Sequence, residues 1–110
     1  MFTVKKVLDV AGSHCLHLGY DSKCNNVHGH NWKITVWARS ETLNEWDMVI
    51  DFTEIKKRIY AVLDHGNLND ILPFRPTAEN IAKWCVEQIP NAFKAEVEES
   101  EGNTASYEII

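Results

Sequence analysis

The sequence predicts an α+β fold in which a four-stranded antiparallel sheet carries two helices on one face. Near both ends of the chain apolar residues alternate with polar ones, which is typical of strands that are buried on one side. Between these regions apolar residues recur every three or four positions in two stretches, as on helices that bury one face. The resulting order, β-β-α-α-β-β, favours an antiparallel sheet with both helices packed together on one side.

The first two strands are predicted in the first third of the chain. In residues 2–14 the even positions are mostly apolar, and His14 falls in phase with them. In residues 28–39 the even positions hold His28, His30 and then only apolar residues, whereas most odd positions are polar. The intervening residues are rich in Gly, Asp, Ser and Asn without periodicity, so we expect a loop with Cys24 near its end.

Capping residues and prolines delimit the two helices. Asp51, with a glutamate three residues later, predicts the start of the first helix, and the polar run Asp64–Asn67 predicts its end. Thr77 is predicted to cap the second helix, and Pro90 to end it. The alternating residues 93–109, which turn at a Gly-Asn pair, are predicted to form a closing hairpin.

Length and composition restrict the class of protein. The 110 residues are too few for a second core, so we predict one domain, 1–110. The net charge of -5 argues against general nucleic-acid binding. Three cysteines fit no disulfide framework, and the sequence lacks a signal peptide and a transmembrane stretch, so we expect a cytoplasmic protein without a membrane partner. Its abundant aromatic residues leave enough apolar surface for a subunit interface.

Three histidines are predicted to hold a metal ion. His28 and His30 are two positions apart on a strand and therefore point to the same side. If the first two strands pair antiparallel, His14 at the end of one lies beside them. Three histidine ligands leave the fourth position of zinc open for water or substrate, as in catalytic sites. Ordinary core or surface histidines are the alternative, but three imidazoles on an apolar face need partners.

Four other side chains could act beside this ion. Cys24 lies four residues before His28, where a cation favours the thiolate, and we predict a nucleophile or base, with zinc ligation as the alternative. Asp64 can orient His65 and raise its basicity, although a plain helix-terminating turn also explains the pair. Glu99 shares the apolar phase of its strand and needs a partner. A ligand with adjacent N–H donors would supply one, as would a bulge or a buried salt bridge.

Taken together, these residues resemble the 6-pyruvoyl-tetrahydropterin synthase and 6-carboxytetrahydropterin synthase family almost from end to end. The resemblance rests on Cys24 to His30, which read Cys-x-x-x-His-Gly-His, on His14 and on the blocks Ile50-Asp51-Phe52, Leu63-Asp64-His65, Leu68-Asn69-Asp70, Pro76-Thr77-Ala78-Glu79 and Glu98-Glu99-Ser100. Two departures could reshape the rim of the pocket. Gly12-Ser13 replaces two small residues that are often alanine, and the loop to Cys24 is short.

The resemblance implies a fold and a role for each residue. The family fold is the tunnelling fold (T-fold), whose subunits form rings, commonly a trimer stacked into a hexamer, with active sites between subunits. The resemblance makes Cys24 the proton-abstracting thiolate and Glu99 the carboxylate that anchors the pterin ring. It makes Asp64 and His65 relay partners of the thiolate. It also implies that the zinc ligands are His14, His28 and His30.

The implied substrate is 7,8-dihydroneopterin triphosphate, with zinc as the cofactor and no redox cofactor. The side chain is either cleaved, giving 6-carboxy-5,6,7,8-tetrahydropterin and acetaldehyde as in queuosine synthesis, or converted by elimination to 6-pyruvoyltetrahydropterin. We favour the first outcome because the chain is compact, as in the prokaryotic members. A non-catalytic zinc or pterin-binding module and another divalent ion are the alternatives. Lys23, Lys33 and Arg75 are candidate contacts for the triphosphate.

Overall fold

A computed structural model describes residues 1–110. It contains five strands, three α-helices and one short 3-10 helix at Lys23–Asn25. In chain order the strands and α-helices are β1 (Phe2–His14), β2 (His28–Ser40), α1 (Phe52–Leu63), β3 (Gly66–Asn67), α2 (Leu68–Ile71), α3 (Ala78–Gln88), β4 (Ala92–Ser100) and β5 (Asn103–Glu108). The four predicted strands and the two predicted helices, α1 and α3, are confirmed. None of the helices is long and apolar enough to cross a lipid bilayer.

The strands form one sheet in the order β3-β1-β2-β4-β5. The pairs β1–β2, β2–β4 and β4–β5 are antiparallel, as the sequence predicts for its four strands. The structure adds the two-residue strand β3, which pairs parallel with β1 through Gly12 and Gly66. The added edge strand brings the residues just after α1 against the end of β1.

One face of the sheet is covered by helices, and the other is open. Alternate residues of β2, such as Trp32 and Ile34, join a core of 20 buried residues with the apolar stripes of α1 and α3. On the opposite face Lys33, Trp37 and Glu96 line an open groove. This arrangement confirms that both long helices lie on one side, because only one face of each strand carries an apolar set.

The predicted caps form as expected. Asp51 accepts a hydrogen bond from the backbone N–H of Thr53, and the hydroxyl of Thr77 accepts one from Asn80. Helix α1 ends at Leu63, and His65 then adopts a left-handed backbone with φ of 59°. This turn directs the chain back along β1.

Candidate metal centre and active site

The register of β1 and β2 brings three histidines together. His14 pairs directly with His28, and His30 lies two residues further along the same face. The ring centroids are 4.6 Å apart for His14 and His28, 5.1 Å for His14 and His30, and 4.8 Å for His28 and His30. One ring nitrogen from each lies within 4.8 Å of the others, so this three-histidine cluster could hold a metal ion.

Hydrogen bonds orient two of these rings with one nitrogen facing inwards. His14 Nδ1 donates to the Pro76 carbonyl at 2.8 Å, and His28 Nδ1 donates to the Asn26 carbonyl at 2.6 Å, because a carbonyl oxygen can only accept. Each Nε2 is therefore left with a lone pair. Histidines that bind metals commonly donate their second ring N–H to a carbonyl in this way.

Two ring nitrogens of the cluster have no hydrogen-bond partner. Nε2 of His14 and Nε2 of His30 are buried and make no hydrogen bond. Burial lowers the pKa of His14 and of His30, and this effect outweighs the opposing influence of the Pro76 carbonyl on His14 and of Glu99 on both rings. Neutral imidazoles with inward lone pairs fit a metal such as zinc, which would satisfy these nitrogens.

Trp32 packs against two of the histidine rings. Its ring lies edge-to-face against His14, with centroids 4.8 Å apart, and against His30 at 5.2 Å. Only 1% of Trp32 is exposed, and its indole N–H donates to the Gly12 carbonyl at 3.1 Å. The apolar set of β2 therefore continues directly into the site and restricts the ring positions.

Glu99 faces the three-histidine cluster. Its Oε1 lies 3.4 Å from His30 Nε2, and its Oε2 lies 3.8 Å from His14 Nε2. The β4–β5 register shifts between Glu98 and Ser100, so Glu99 has no cross-strand partner. The bulge, one of the predicted explanations for this in-phase carboxylate, is therefore present. Glu99 also lines a cleft of about 630 Å³ beside the start of α3, large enough for a small molecule.

Cys24 lies in the short 3-10 helix that precedes β2. Its N–H donates to the Ser22 hydroxyl at 3.1 Å, and its carbonyl accepts from the N–H of Leu16 at 2.8 Å. The second bond ties the turn that carries Cys24 to Leu16, two residues beyond His14. The thiol is half-buried, and the group of side chains that could share one ion does not include Cys24.

Asp64 and His65 pair with each other at the turn after α1. Asp64 Oδ2 accepts from His65 Nδ1 at 2.5 Å, and Oδ1 accepts from the Ala11 N–H at 2.9 Å. The Ala11 hydrogen bond is the main cause of a lowered Asp64 pKa, and bonds from His65 and Tyr60 act in the same direction. The pair therefore forms within the predicted helix-terminating turn.

No hydrogen bond joins this Asp64–His65 pair to Cys24. The hydrogen bonds of the two side chains go to each other, to Ala11 and to Tyr60. The His65 side chain is 82% exposed and lines a polar cleft of about 480 Å³ that His30 also borders. A single chain thus leaves the imidazole open to solvent.

Two of the predicted contacts for the triphosphate, Lys33 and Arg75, lie in different parts of the structure. Lys33 faces the open side of the sheet, away from the histidines, whereas Arg75 Nε donates to the Leu16 carbonyl at 2.9 Å.

The backbone carbonyls of Pro76 and Asn26, which accept hydrogen bonds from His14 and His28, were not predicted from the sequence. No residue-type pattern reveals which backbone carbonyl a ring nitrogen meets.

Comparison with known sequences agrees with this geometry. Residues 3–109 match the 6-pyruvoyl tetrahydropterin synthase family. A putative 6-carboxy-5,6,7,8-tetrahydropterin synthase from Pyrococcus horikoshii is 47% identical over 53 residues, which are 48% of this chain and 32% of that protein. The 6-carboxy-5,6,7,8-tetrahydropterin synthase of Bacillus subtilis is 24% identical over 95 residues, covering 80% of this chain and 65% of that protein. The matched region thus spans less than two thirds of either relative.

Comparison with solved structures extends over nearly the whole chain. The 6-pyruvoyl tetrahydropterin synthase of Caenorhabditis elegans superimposes with a TM-score of 0.78 at 28% sequence identity, covering 99% of this chain and 96% of that one. The fold, the order of its motifs and the family match agree. The chain therefore belongs to the 6-pyruvoyl tetrahydropterin synthase family.

Proposed function

We propose that this protein is a zinc-dependent lyase of queuosine (7-deazaguanine) synthesis. It converts 7,8-dihydroneopterin triphosphate and water to 6-carboxy-5,6,7,8-tetrahydropterin, acetaldehyde and triphosphate. The observation that carries this proposal is the three-histidine cluster with two buried, unpartnered Nε2 atoms. The product is proposed from the similarity to the putative 6-carboxy-5,6,7,8-tetrahydropterin synthase of Pyrococcus horikoshii and to the 6-carboxy-5,6,7,8-tetrahydropterin synthase of Bacillus subtilis.

His14, His28 and His30 would hold the metal through their inward ring nitrogens. When bound, zinc supplies Lewis-acid polarisation of the side-chain hydroxyls of the substrate, which acidifies the adjacent C–H bonds. Three protein ligands leave a coordination position for the substrate. Cys24, which lies outside the group of potential ligands, would remain available for proton transfer.

We assign the proton transfers to residues beside the cluster. Cys24 removes a proton from the substrate side chain, and a metal ion held by the neighbouring histidines would favour its thiolate form. His65 carries a proton to or from the site, with Asp64 holding its Nδ1 and stabilising the charged ring. The exposure of His65 fits an active site that closes between subunits of a homo-oligomer, a trimer or hexamer.

Glu99 binds the pterin ring in this proposal. A carboxylate accepts two hydrogen bonds from adjacent N–H donors, which the pterin ring presents. The position of Glu99 between the cluster and the cleft of about 630 Å³ would place the substrate side chain near the metal when the ring occupies the cleft. The three free cysteines fit a reducing compartment, and we place the protein in the cytoplasm.

The competing product is 6-pyruvoyltetrahydropterin, which the family match and the similarity to the Caenorhabditis elegans protein favour. Incubation of the zinc-loaded protein with 7,8-dihydroneopterin triphosphate decides between the two. We expect acetaldehyde and triphosphate in equal amounts, with the metal-stripped protein as the control. Triphosphate with a pyruvoyl pterin and no aldehyde would establish elimination instead. Substrate binding without either product would indicate a non-catalytic module.

A further inference from the structure

The segment 68–77, which links β3 to α3, binds each of the three residues at the end of β1 and just beyond it. The Pro76 carbonyl accepts from His14 Nδ1 at 2.8 Å, and Arg75 Nε donates to the Leu16 carbonyl at 2.9 Å. Cys15, which lies between His14 and Leu16, forms hydrogen bonds with the side chain of Asn69. One short segment thus fixes three consecutive residues, the first of which is a predicted metal ligand.

Asn69 makes the most restrictive of these contacts. Its Oδ1 accepts from the Cys15 N–H at 2.8 Å, and its Nδ2 donates to the Cys15 carbonyl at 2.9 Å. The β1–β3 ladder ends where Ser13 pairs with Asn67, so the amide acts as one further step of backbone pairing. Because the two bonds have opposite polarity, they fix both the amide and the peptide groups on either side of Cys15.

A purely structural role explains this side chain poorly. The N-cap of α2 is Asn67, whose side chain accepts from the Asn69 N–H, so Asn69 is not needed as a cap. The core contact of this helix comes from Leu68, which is 1% exposed. The side chain of Asn69 neither caps α2 nor packs it on the core. Its hydrogen bonds go to the backbone of Cys15.

Two parts of the site depend on the position of Cys15. His14 precedes it, and Leu16, which follows it, donates its N–H to the Cys24 carbonyl at 2.8 Å. We propose that Asn69 is a positioning residue, which holds His14 in place for the metal and ties the Cys24 turn to the same frame. This inference rests on the proposed function, since it requires that the three histidines bind zinc.

The test compares zinc affinity in matched variants, measured by competition with a chromophoric chelator. In Asn69→Ala we expect zinc to bind about 10-fold more weakly, at the low end of the cost of losing a partner bonded directly to a ligand, because Asn69 acts on His14 through the Cys15 backbone. Asn69→Asp keeps the acceptor for the Cys15 N–H but places an oxygen against the Cys15 carbonyl, so its affinity should also fall. The control is Asn44→Ala, because Asn44 likewise makes two side-chain bonds to backbone N–H groups, in a different loop.

A second readout follows the thiol. Cys24 is half-buried whereas Cys15 and Cys85 are buried, so a thiol reagent should label Cys24 first, and faster in the Asn69 variants. Unchanged zinc affinity in both folded Asn69 variants, or an equal loss of affinity in Asn44→Ala, would overturn the positioning role of Asn69 but not the proposed function. If Asn69→Ala does not fold, Asn69→Asp decides the outcome. Failure of the unmodified protein to bind zinc would instead overturn the proposed function.

Discussion

The three-histidine cluster and the Asp64–His65 pair lie near the same end of β1, yet their imidazoles have opposite environments. His14 is fully buried and His30 partly so, and each has an Nε2 with no hydrogen-bond partner. His65 is 82% exposed, and its Nδ1 is bonded to Asp64. Two buried nitrogens of the cluster have no hydrogen-bond partner, whereas the pair already holds the carboxylate that a proton carrier needs.

The two environments also act differently on charge. Burial lowers the pKa of His14 and of His30 and keeps these rings neutral, as metal binding requires. At the pair the lowered pKa is that of Asp64, chiefly through the Ala11 N–H, so that the carboxylate stays charged beside His65. Binding and proton transfer are thus assigned to two separate groups of imidazoles, and four variants test that division.

Removal of one ring from the cluster should have the largest effect. In His14→Ala two ligands remain, and we expect loss of stoichiometric zinc and of turnover, because two histidines cannot hold the ion as tightly as three. Metal content after dialysis measures the first, and acetaldehyde release the second. His65→Ala is the control and should retain zinc. Full zinc content in His14→Ala would show that the cluster is not the site.

Cys24→Ala tests whether the thiol transfers a proton or binds the metal. If Cys24 transfers a proton, turnover should fall about 10²- to 10⁴-fold while the protein keeps one zinc per chain. If Cys24 is a zinc ligand, the metal should be lost as well. Steady-state rates and metal analysis on the same preparation distinguish these cases.

His65→Gln should give a smaller loss of turnover. Glutamine keeps a polar side chain but cannot carry a proton, so we expect a decrease of about 10²-fold with zinc retained. Steady-state rates and zinc content measured on the same preparation check both expectations. An unchanged rate in the folded variant would exclude His65 as the proton carrier.

The smallest effect concerns stability in acid. Because the folded state lowers the pKa of Asp64 below 3.8, this carboxylate stabilises the fold above that pH, and the contribution is lost as pH falls through the lowered value. In metal-free protein the free energy of unfolding should therefore fall more steeply from about pH 5 to about pH 2 than in Asp64→Asn. Parallel curves in denaturant titrations would contradict the assignment.

Periodicity was sufficient to predict the parts of the fold that carry the cluster. Strand β1 was expected over residues 2–14 and is found there, because every second residue faces one core. The same alternation placed His28 and His30 on one face, and antiparallel pairing brought His14 beside them. The cluster was predictable because it continues an apolar pattern.

Other features depend on contacts that no local pattern records. Strand β3 has two residues, too few for alternation, and exists because the left-handed turn at His65 returns the chain to β1. A Cβ at Gly66 would lie too close to Cδ1 of Ile71, five residues later, so the Ile71 side chain would have to move. The bond between Asn69 and Cys15 spans 54 positions, so only the folded chain reveals it.

X-ray absorption at the zinc edge of the purified protein tests the central claim most directly, since nitrogen and sulfur ligands differ in distance. We predict three imidazole nitrogens and one further light atom, all at about 2.0–2.1 Å, and no sulfur. This result would leave Cys24 off the metal and one position available to the substrate. A sulfur shell at about 2.3 Å would contradict the account, because the thiol would then close the site.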